Sequence, residues 1–343
     1  MKKDKYTETP TRPFEISGDA SVSSVLERMK GISFQGRSLA RAYDIWCQAL
    51  KDECTILFGL AGAMVPAGMR KIIVHLIQNR LIDCVVTTGA NMFHDCHETL
   101  GYYHFQGSAD VDDAELNKLK IDRIYDTLSK DEEFDKTDEY IAEFAAELEA
   151  RPYTTREFLH LLGKKMSDLP EQGILTAAYE ANVPIYCPAI ADSSIGIALA
   201  ALMKPEDHRV TFDLVPELAE MAQIALKSPG TAAVLVSGGT PKNYIQQLQI
   251  TASFIEPDRE IEGHRYAIQF TTDSPQWGGL GGCTFEEGQS WGKISRSGQR
   301  VVCFCDATIA LPIVVSALAE RSDELRRKKV PRFELGSDFK ITV

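Results

Sequence analysis

Short apolar runs of about six residues recur along this chain between long amphipathic stretches, and that rhythm restricts the fold more than any other feature. The runs are 54–59 (CTILFG), 83–88 (DCVVTT), 184–187 (PIYC), 232–237 (AAVLVS), 265–272 (RYAIQFTT) and 300–305 (RVVCFC). Each is rich in β-branched and aromatic residues and closes on Gly, Pro, Asp or Ser, which predicts strands. Several are apolar on both alternating faces, as parallel strands covered by helices on both sides must be.

Helical patterns fill the intervals. Ala67–Leu81 places Met69, Ile72, Ile73, Leu76 and Ile77 at i, i+3, i+4 spacing. Further helices are expected over Pro170–Ala181, with Pro170 at the first helical position, and over Val215–Lys227, Pro241–Thr251 and Ala307–Arg321. This alternation predicts an α/β fold: a Rossmann-like open parallel sheet with helices on both faces. The stretch 108–168 breaks the rhythm; it is strongly acidic (DKTDEYIAEFAAELEA) and reads as a helical insertion. Residues 1–20 are polar and contain proline, an extended arm. No repeat or linker divides the remainder, so 21–343 is expected to form a single domain.

Charge and cysteine usage narrow the setting. The 37 basic and 49 acidic residues give a net charge of −12. That balance opposes non-specific nucleic-acid binding, which needs clustered Lys and Arg to displace phosphate counterions. No run approaches the ~20 apolar residues that span a bilayer, and no apolar stretch of a signal peptide follows the basic N-terminus. The eight cysteines lie mostly inside apolar runs, as reduced, buried thiols do. A cytoplasmic protein with neither nucleic acid nor membrane as partner is expected.

Ligands of an open parallel sheet bind beyond the C-terminal strand edges. There the sequence places Gly59–Gly62, Thr87–Asn91, Asp192–Ser194, Ser237–Lys242 (SGGTPK), Thr271–Gly282 and Asp306. In SGGTPK two glycines free the backbone and Pro241 fits a first helical position. Exposed N–H groups there could hold a cofactor phosphate, although an ordinary βα turn has the same composition. GGLGG (278–282) could wrap a pyrophosphate, but it is not G-x-G-x-x-G and follows the fifth strand. His94, His97 and His104 with Asp95, Cys96 and Glu98 invite a metal reading. Without HExxH or CxxC, cap and ligand-loop roles fit them better and no metal is expected. Lys293, in QSWGKI, lies between a glycine-rich loop and an apolar strand. A lysine against an aromatic wall can serve as the nucleophile of Schiff-base chemistry; on the local sequence alone, a solvent-facing lysine that opens a strand fits better.

These segments together resemble a known family. From about residue 20 to 322 the chain is similar to deoxyhypusine synthases and their bacterial relatives. The most specific stretch is Glu287-Gly288-Gln289-Ser290-Trp291-Gly292-Lys293-Ile294, followed by Cys305-Asp306-Ala307. It resembles the family's E-x-x-S-W-G-K-I segment and downstream D-A. Supporting matches are Pro188–Gly196 (PAIADSSIG), Gly238–Lys242 (GGTPK) and Thr87–Ala90 (TTGA).

The resemblance implies an NAD-dependent transferase that moves the aminobutyl group of spermidine through an imine on Lys293 to an acceptor amine. The acceptor is either a protein lysine, giving deoxyhypusine, or putrescine, giving homospermidine. It further implies a homotetramer with active sites at a dimer interface. Trp291 would wall the polyamine channel and Glu287 would bind a cationic nitrogen, with His94 and Asn243 also facing substrate. Thr88, Gly89, Asp192, Gly239, Thr272, Gly278 and Asp306 would line NAD. The chain departs from the family at several positions. Phe93-His94 replaces an acidic pair, Asn243 a histidine, Ile197 and Leu280 aspartates, and Gly62-Ala63 a cofactor-holding S-N. These departures keep two other readings open: another amine-processing or metal-dependent enzyme on the same scaffold, and a non-catalytic paralogue that binds NAD or polyamine.

Overall fold

Every residue of β1 (Thr55–Leu60) is buried, and its apolar side chains divide between two cores. Ile56, Phe58 and Leu60 enter one hydrophobic cluster while Leu57 enters the other. β4 (Thr231–Val236) repeats the division, with Ala232, Val234 and Val236 on the first side and Ala233 and Leu235 on the second. A strand buried on both faces must lie inside a sandwich of helices. The computed structural model, which describes residues 7–201 and 210–343, has that architecture. β2 (Cys84–Thr87), β3 (Ile185–Tyr186), β5 (His264–Thr271) and β6 (Ile294–Phe304) complete a six-stranded sheet. All pairings are parallel and the order is 3-2-1-4-5-6. Each of the six apolar runs supplies one strand, with ends moved by one or two residues, except that β6 starts six residues earlier.

The helices are α1 (Val22–Met29), α2 (Phe34–Lys51), α3 (Arg70–Gln78), α4 (Gly89–Thr99), α5 (Asp131–Glu147) and α6 (Thr155–Met166). They continue with α7 (Ile174–Ala181), α8 (Ser194–Ala201), α9 (Leu214–Lys227), α10 (Gly239–Ile255), α11 (Phe285–Ser290) and α12 (Ala307–Glu320). Side chains of α2, α3, α7 and α12 fill the first core. Met221 and Ile224 of α9, Tyr244, Ile245 and Leu248 of α10 and Phe285 of α11 fill the second.

Two helix starts differ from expectation. α7 begins at Ile174, not at Pro170. The buried Asp95 carboxylate, carried by α4, accepts from the N–H groups of Ile174 (2.7 Å) and Leu175 (2.9 Å) and is also paired with Arg70 at 2.8 Å. A tertiary anion thus satisfies the orphan donors and fixes the start, a cause that local pattern cannot show. Pro241 is the third residue of α10, still within the turn whose N–H groups lack intrahelical partners.

The insertion is not wholly helical. Besides α5, α6 and a short helix at Asp113–Lys118, it carries the strands Ile121–Ile124 and Thr127–Lys130, which form a three-stranded antiparallel sheet with Phe105–Gln106 just before it. Those strands are short, charged and half exposed, so they leave no apolar alternation to read. Residues 7–20 run irregularly and mostly exposed, touching α1's end where the Arg12 N–H donates to Gly31 O at 2.8 Å. The first six residues of the expected arm lie outside the described residues.

A C-terminal hairpin, Arg332–Leu335 with Phe339–Thr342, adds Phe333, Leu335 and Ile341 to the second core. Two arginine clusters hold this end of the chain. Arg327 donates to both oxygens of the fully buried Asp83 (2.7 and 2.8 Å), Arg80 adds a bond at 3.1 Å and the Ile56 N–H another at 2.8 Å. Arg156, itself buried, pairs with Glu220 at 2.9 Å and donates to the carbonyls of Leu335 (2.8 Å) and Gly336 (3.0 Å).

Candidate functional site

Because all six strands point the same way, their C-terminal ends and the loops after them share one edge. The order reverses between β1 and β4, and a crevice opens outside such a switch point. The loop after β1 is held by Asn91 of α4. Its Oδ1 accepts from the N–H groups of Met64 (3.2 Å) and Val65 (3.3 Å), and its Nδ2 donates to Gly62 O (2.9 Å) and Thr88 Oγ1 (3.1 Å). Gly89 opens α4 where a Cβ would meet Ser193 Oγ at 2.3 Å, so only glycine lets the loop after β3 close against it. Asp192 lies exposed in that loop. Asp306 caps α12, accepting from the Thr308 N–H at 2.7 Å and Thr308 Oγ1 at 2.5 Å.

On the other side of the crevice Ser237, at φ +60°, and Gly239, at φ +62°, turn β4 into α10. A serine in the left-handed region stores local strain, a feature that collects at functional turns. A Cβ on Gly238 would lie 2.1 Å from Gly281 Cα, so the two glycine-rich loops pack backbone to backbone. Gly239, Gly278 and Gly279 face open space at their Cβ positions. The first-turn N–H groups of α10 therefore have room for an anion. Thr88, Gly89, Asp192, Gly239, Thr272, Gly278 and Asp306 all belong to loops or helix starts that follow the strands at this edge. A dinucleotide fits these features: a switch-point crevice, glycines without steric cover, and free helix-start donors.

Next to it lies a cavity of about 190 Å³ lined by Lys242, Asn243, Gln246, Glu287, Trp291 and Lys293 and roofed by the 278–283 loop. Thr284 Oγ1 accepts from the Glu287 N–H at 3.1 Å and starts α11, which carries Glu287 to the cavity; Trp291 caps its other end. Lys293 Nζ donates to Asn243 Oδ1 at 3.1 Å and stands 5.7 Å from the Trp291 ring. Trp291 is 67 % exposed and Leu280, on the rim, 48 %. Lys242 in the cavity wall and Gln269 behind it on β5 were not anticipated as site residues. Lys242 Nζ donates to Gln269 Oε1 (2.9 Å) and to the carbonyls of Gly281 (3.5 Å) and Cys283. Its desolvation lowers its pKa to about 8. Gln269 also ties Ser237 O (2.8 Å) to Gly281 O (2.7 Å) through Nε2. A lone glutamine inside the apolar run RYAIQFTT was the one signal for it.

The structure does not bring His94 to this cavity. It sits on α4, behind β2, and packs with His97 and His104 around Phe134 of α5. His104 Nδ1 bonds Glu98 Oε1 at 2.8 Å and its Nε2 faces His94 Nδ1 at 2.9 Å. The Thr137 hydroxyl donates to Glu133 O at 2.9 Å, so it accepts from His97 Nδ1 at 3.1 Å. Among the described residues no group of three or more His, Cys, Asp or Glu is arranged to hold a metal ion. Burial holds His94 at about 3 and His97 at about 4, below the usual 6.5. It also holds His264, at the start of β5, at about 4.

These histidines make stability acid-sensitive. Below 6.5 the unfolded chain takes up protons that the folded imidazoles refuse, so their contribution is whole above that pH and is lost toward 4. His160, also lowered by burial, acts in the same direction. Glu217, raised by burial to about 7 from 4.5, and Asp138, raised to about 6 from 3.8, act oppositely. The histidines outnumber them. Unfolding free energy is expected to fall by on the order of 1 kcal/mol per pH unit from pH 6 to 4.5. Urea titrations at those two pH values measure it; equal or greater stability at the lower pH would contradict the account.

A family model described as deoxyhypusine synthase matches residues 24–318. The chain is 47 % identical over 330 residues to the "Probable deoxyhypusine synthase 2" of Methanosarcina acetivorans, covering 95 % of this chain and 94 % of the relative. It is 49 % identical over 306 residues to the protein of that name from Archaeoglobus fulgidus, covering 89 % and 99 %. It is 37 % identical over 298 residues to the "Deoxyhypusine synthase-like protein" of Coxiella burnetii, covering 85 % and 84 %. A solved structure from Entamoeba histolytica, titled for the same enzyme, shares the fold. Its TM-score is 0.60 at 17 % identity, over 89 % of this chain and 96 % of that one. With the switch-point sheet, the lysine cavity and these matches in agreement, the chain belongs to the deoxyhypusine synthase family.

Proposed function

We propose that the chain is an NAD-dependent transferase that moves the aminobutyl group of spermidine, through an imine on Lys293, to an acceptor amine. The observation that carries this reading is Lys293 itself, whose Nζ stands in a cavity between Asn243 Oδ1 and the Trp291 ring. NAD would rest on Thr88, Gly89, Asp192, Gly239, Thr272, Gly278 and Asp306, supplying reversible storage of a hydride. The lysine amine attacks the oxidised carbon of spermidine, and 1,3-diaminopropane leaves. Lys293 then holds the four-carbon unit as an imine until an acceptor amine attacks that carbon and frees the lysine, and the hydride removed at the outset would return to that carbon to give the amine product. Asn243, an acceptor without a titratable proton, orients the Lys293 amine. Trp291 gives the methylene chain an apolar wall and screens the imine from water.

Glu287 is the one carboxylate among the residues lining the cavity. A polyamine carries more than one positive charge, so a single carboxylate leaves part of it unpaired. Together with the exposed Trp277, Leu280 and Trp291 at the rim, this supports a homotetramer whose sites close at a dimer interface. The relatives' names favour a protein-lysine acceptor. Phe93-His94, Ile197 and Leu280, which stand where the resemblance implies acidic residues, favour putrescine, as does the stretch TTGANMFHD. The reading also keeps the protein in the cytoplasm.

Product analysis with spermidine and NAD, with and without putrescine, tests the proposal. Release of 1,3-diaminopropane together with homospermidine is expected if the small amine is the acceptor. Release without homospermidine, with label passing to an added protein lysine, assigns deoxyhypusine synthesis. No diaminopropane under either condition would favour the non-catalytic reading, for which Asn243 in place of a histidine and Ile197 and Leu280 in place of aspartates are the motivating substitutions.

A further inference from the structure

We propose that Lys242 is a positioning residue for the transfer: its buried ammonium clasps the 278–283 loop onto β5 and α10 and so builds the roof of the Lys293 cavity. This deepens the function proposed above and rests on it. Lys242 is 2 % exposed, yet its Nζ reaches three oxygens on two elements, Gln269 Oε1 on β5 and the carbonyls of Gly281 and Cys283 in the loop. The Phe285 ring stands 5.9 Å away on a further side. Three acceptors match the three donors of an ammonium, and a neutral amine has only two hydrogens to give.

Gln269 shares the task, since it bonds both the Ser237 and Gly281 carbonyls. The loop has few other holds. Gly278, Gly279 and Leu280 are exposed, and Gly281 meets Gly238 without a side chain between them. Lys242 thus joins the turn that starts α10 to the loop that covers Lys293, so one buried cation sets the spacing of both glycine-rich segments.

The charged and titratable groups facing it are Glu287, Asp273, Cys283 and Lys293. Burial is the larger influence and brings its pKa to about 8, with Cys283 and the two carboxylates opposing and Lys293 acting in the same direction as burial. The clasp therefore weakens as pH rises through about 8, when the third hydrogen is lost.

Two variants test the clasp, Lys242→Met from one side and Gln269→Ala from the other. Hydrogen exchange of the 278–283 segment is expected to quicken at least about tenfold in each, while exchange in β1 and β4 stays unchanged. In borohydride trapping with labelled spermidine and NAD, labelling of Lys293 is expected to slow at least about tenfold. In the same assay wild type should also show a descending limb near pH 8 that Lys242→Met lacks. A variant that only lowers stability would keep the limb. Unchanged loop exchange in both variants, or a limb that persists in Lys242→Met, overturns the proposal. If Lys242→Met does not fold, Gln269→Ala decides through loop exchange and labelling rate. If wild type takes no label at Lys293, the transferase reading fails, and loop exchange alone still judges the clasp.

Discussion

Lys293→Ala is expected to take no label when incubated with NAD and labelled spermidine and trapped with borohydride, while wild type takes about one label per chain. Transfer to any acceptor should fall by on the order of 10³-fold or more, because removal of a covalent nucleophile is not made good by its neighbours. Lys293→Arg should be equally inactive despite its charge, since a guanidinium stays protonated and forms no imine. The substitution touches little else: Lys293 Nζ has Asn243 as its hydrogen-bond partner and sits half-buried at the cavity wall. Melting temperatures within a few degrees of wild type would show that the fold survives. Persistent label in Lys293→Ala, or its mapping to Lys242, would defeat the assignment.

The largest effect on stability is expected at Asp83. Its carboxylate is fully buried and bonded to Arg327, Arg80 and the Ile56 N–H. Asp83→Ala strands two guanidinium groups in a region from which water is largely excluded. Breaking a buried pair from one side costs about 3–5 kcal/mol. A drop of that size should appear as a lowered urea midpoint. Arg327→Met added to Asp83→Ala should recover part of it, because the double change removes the uncompensated charge as well as its partner. A loss below about 1 kcal/mol in Asp83→Ala would show that the cluster behaves as an exposed surface pair.

Much of the fold was legible because burial on both faces writes itself into short sequence runs. CTILFG and AAVLVS became β1 and β4, and the helices between strands followed their apolar spacing. What stayed hidden depends on partners distant in sequence. The start of α7 answers to Asp95, and the hairpin after residue 331 answers to Arg156 and the second core. The small sheet of the insertion buries too little to leave a pattern. The candidate site divides in the same manner. Lys293, Trp291, Glu287 and Asn243 line one cavity, as their motifs suggested, and the glycines lie at one sheet edge. His94 lies apart in an aromatic cluster with its sister histidines. The role of Lys242 could not be read from GGTPK, because its three acceptors come from β5 and the loop after it.

The hairpin at the far end of the chain has a consequence for how the protein is made. Phe333, Leu335 and Ile341 complete the layer that contains Met221, Ile224, Tyr244 and Phe285, and they follow all six strands of the sheet in sequence. A growing chain holds every strand of its sheet before the hairpin that covers that layer has been made. That wall stays open to contact with other chains until the hairpin emerges and docks. A chain that stops early, even just past the stretch the family model matches, would keep its chemistry-bearing residues and lose the means of hiding them from other chains.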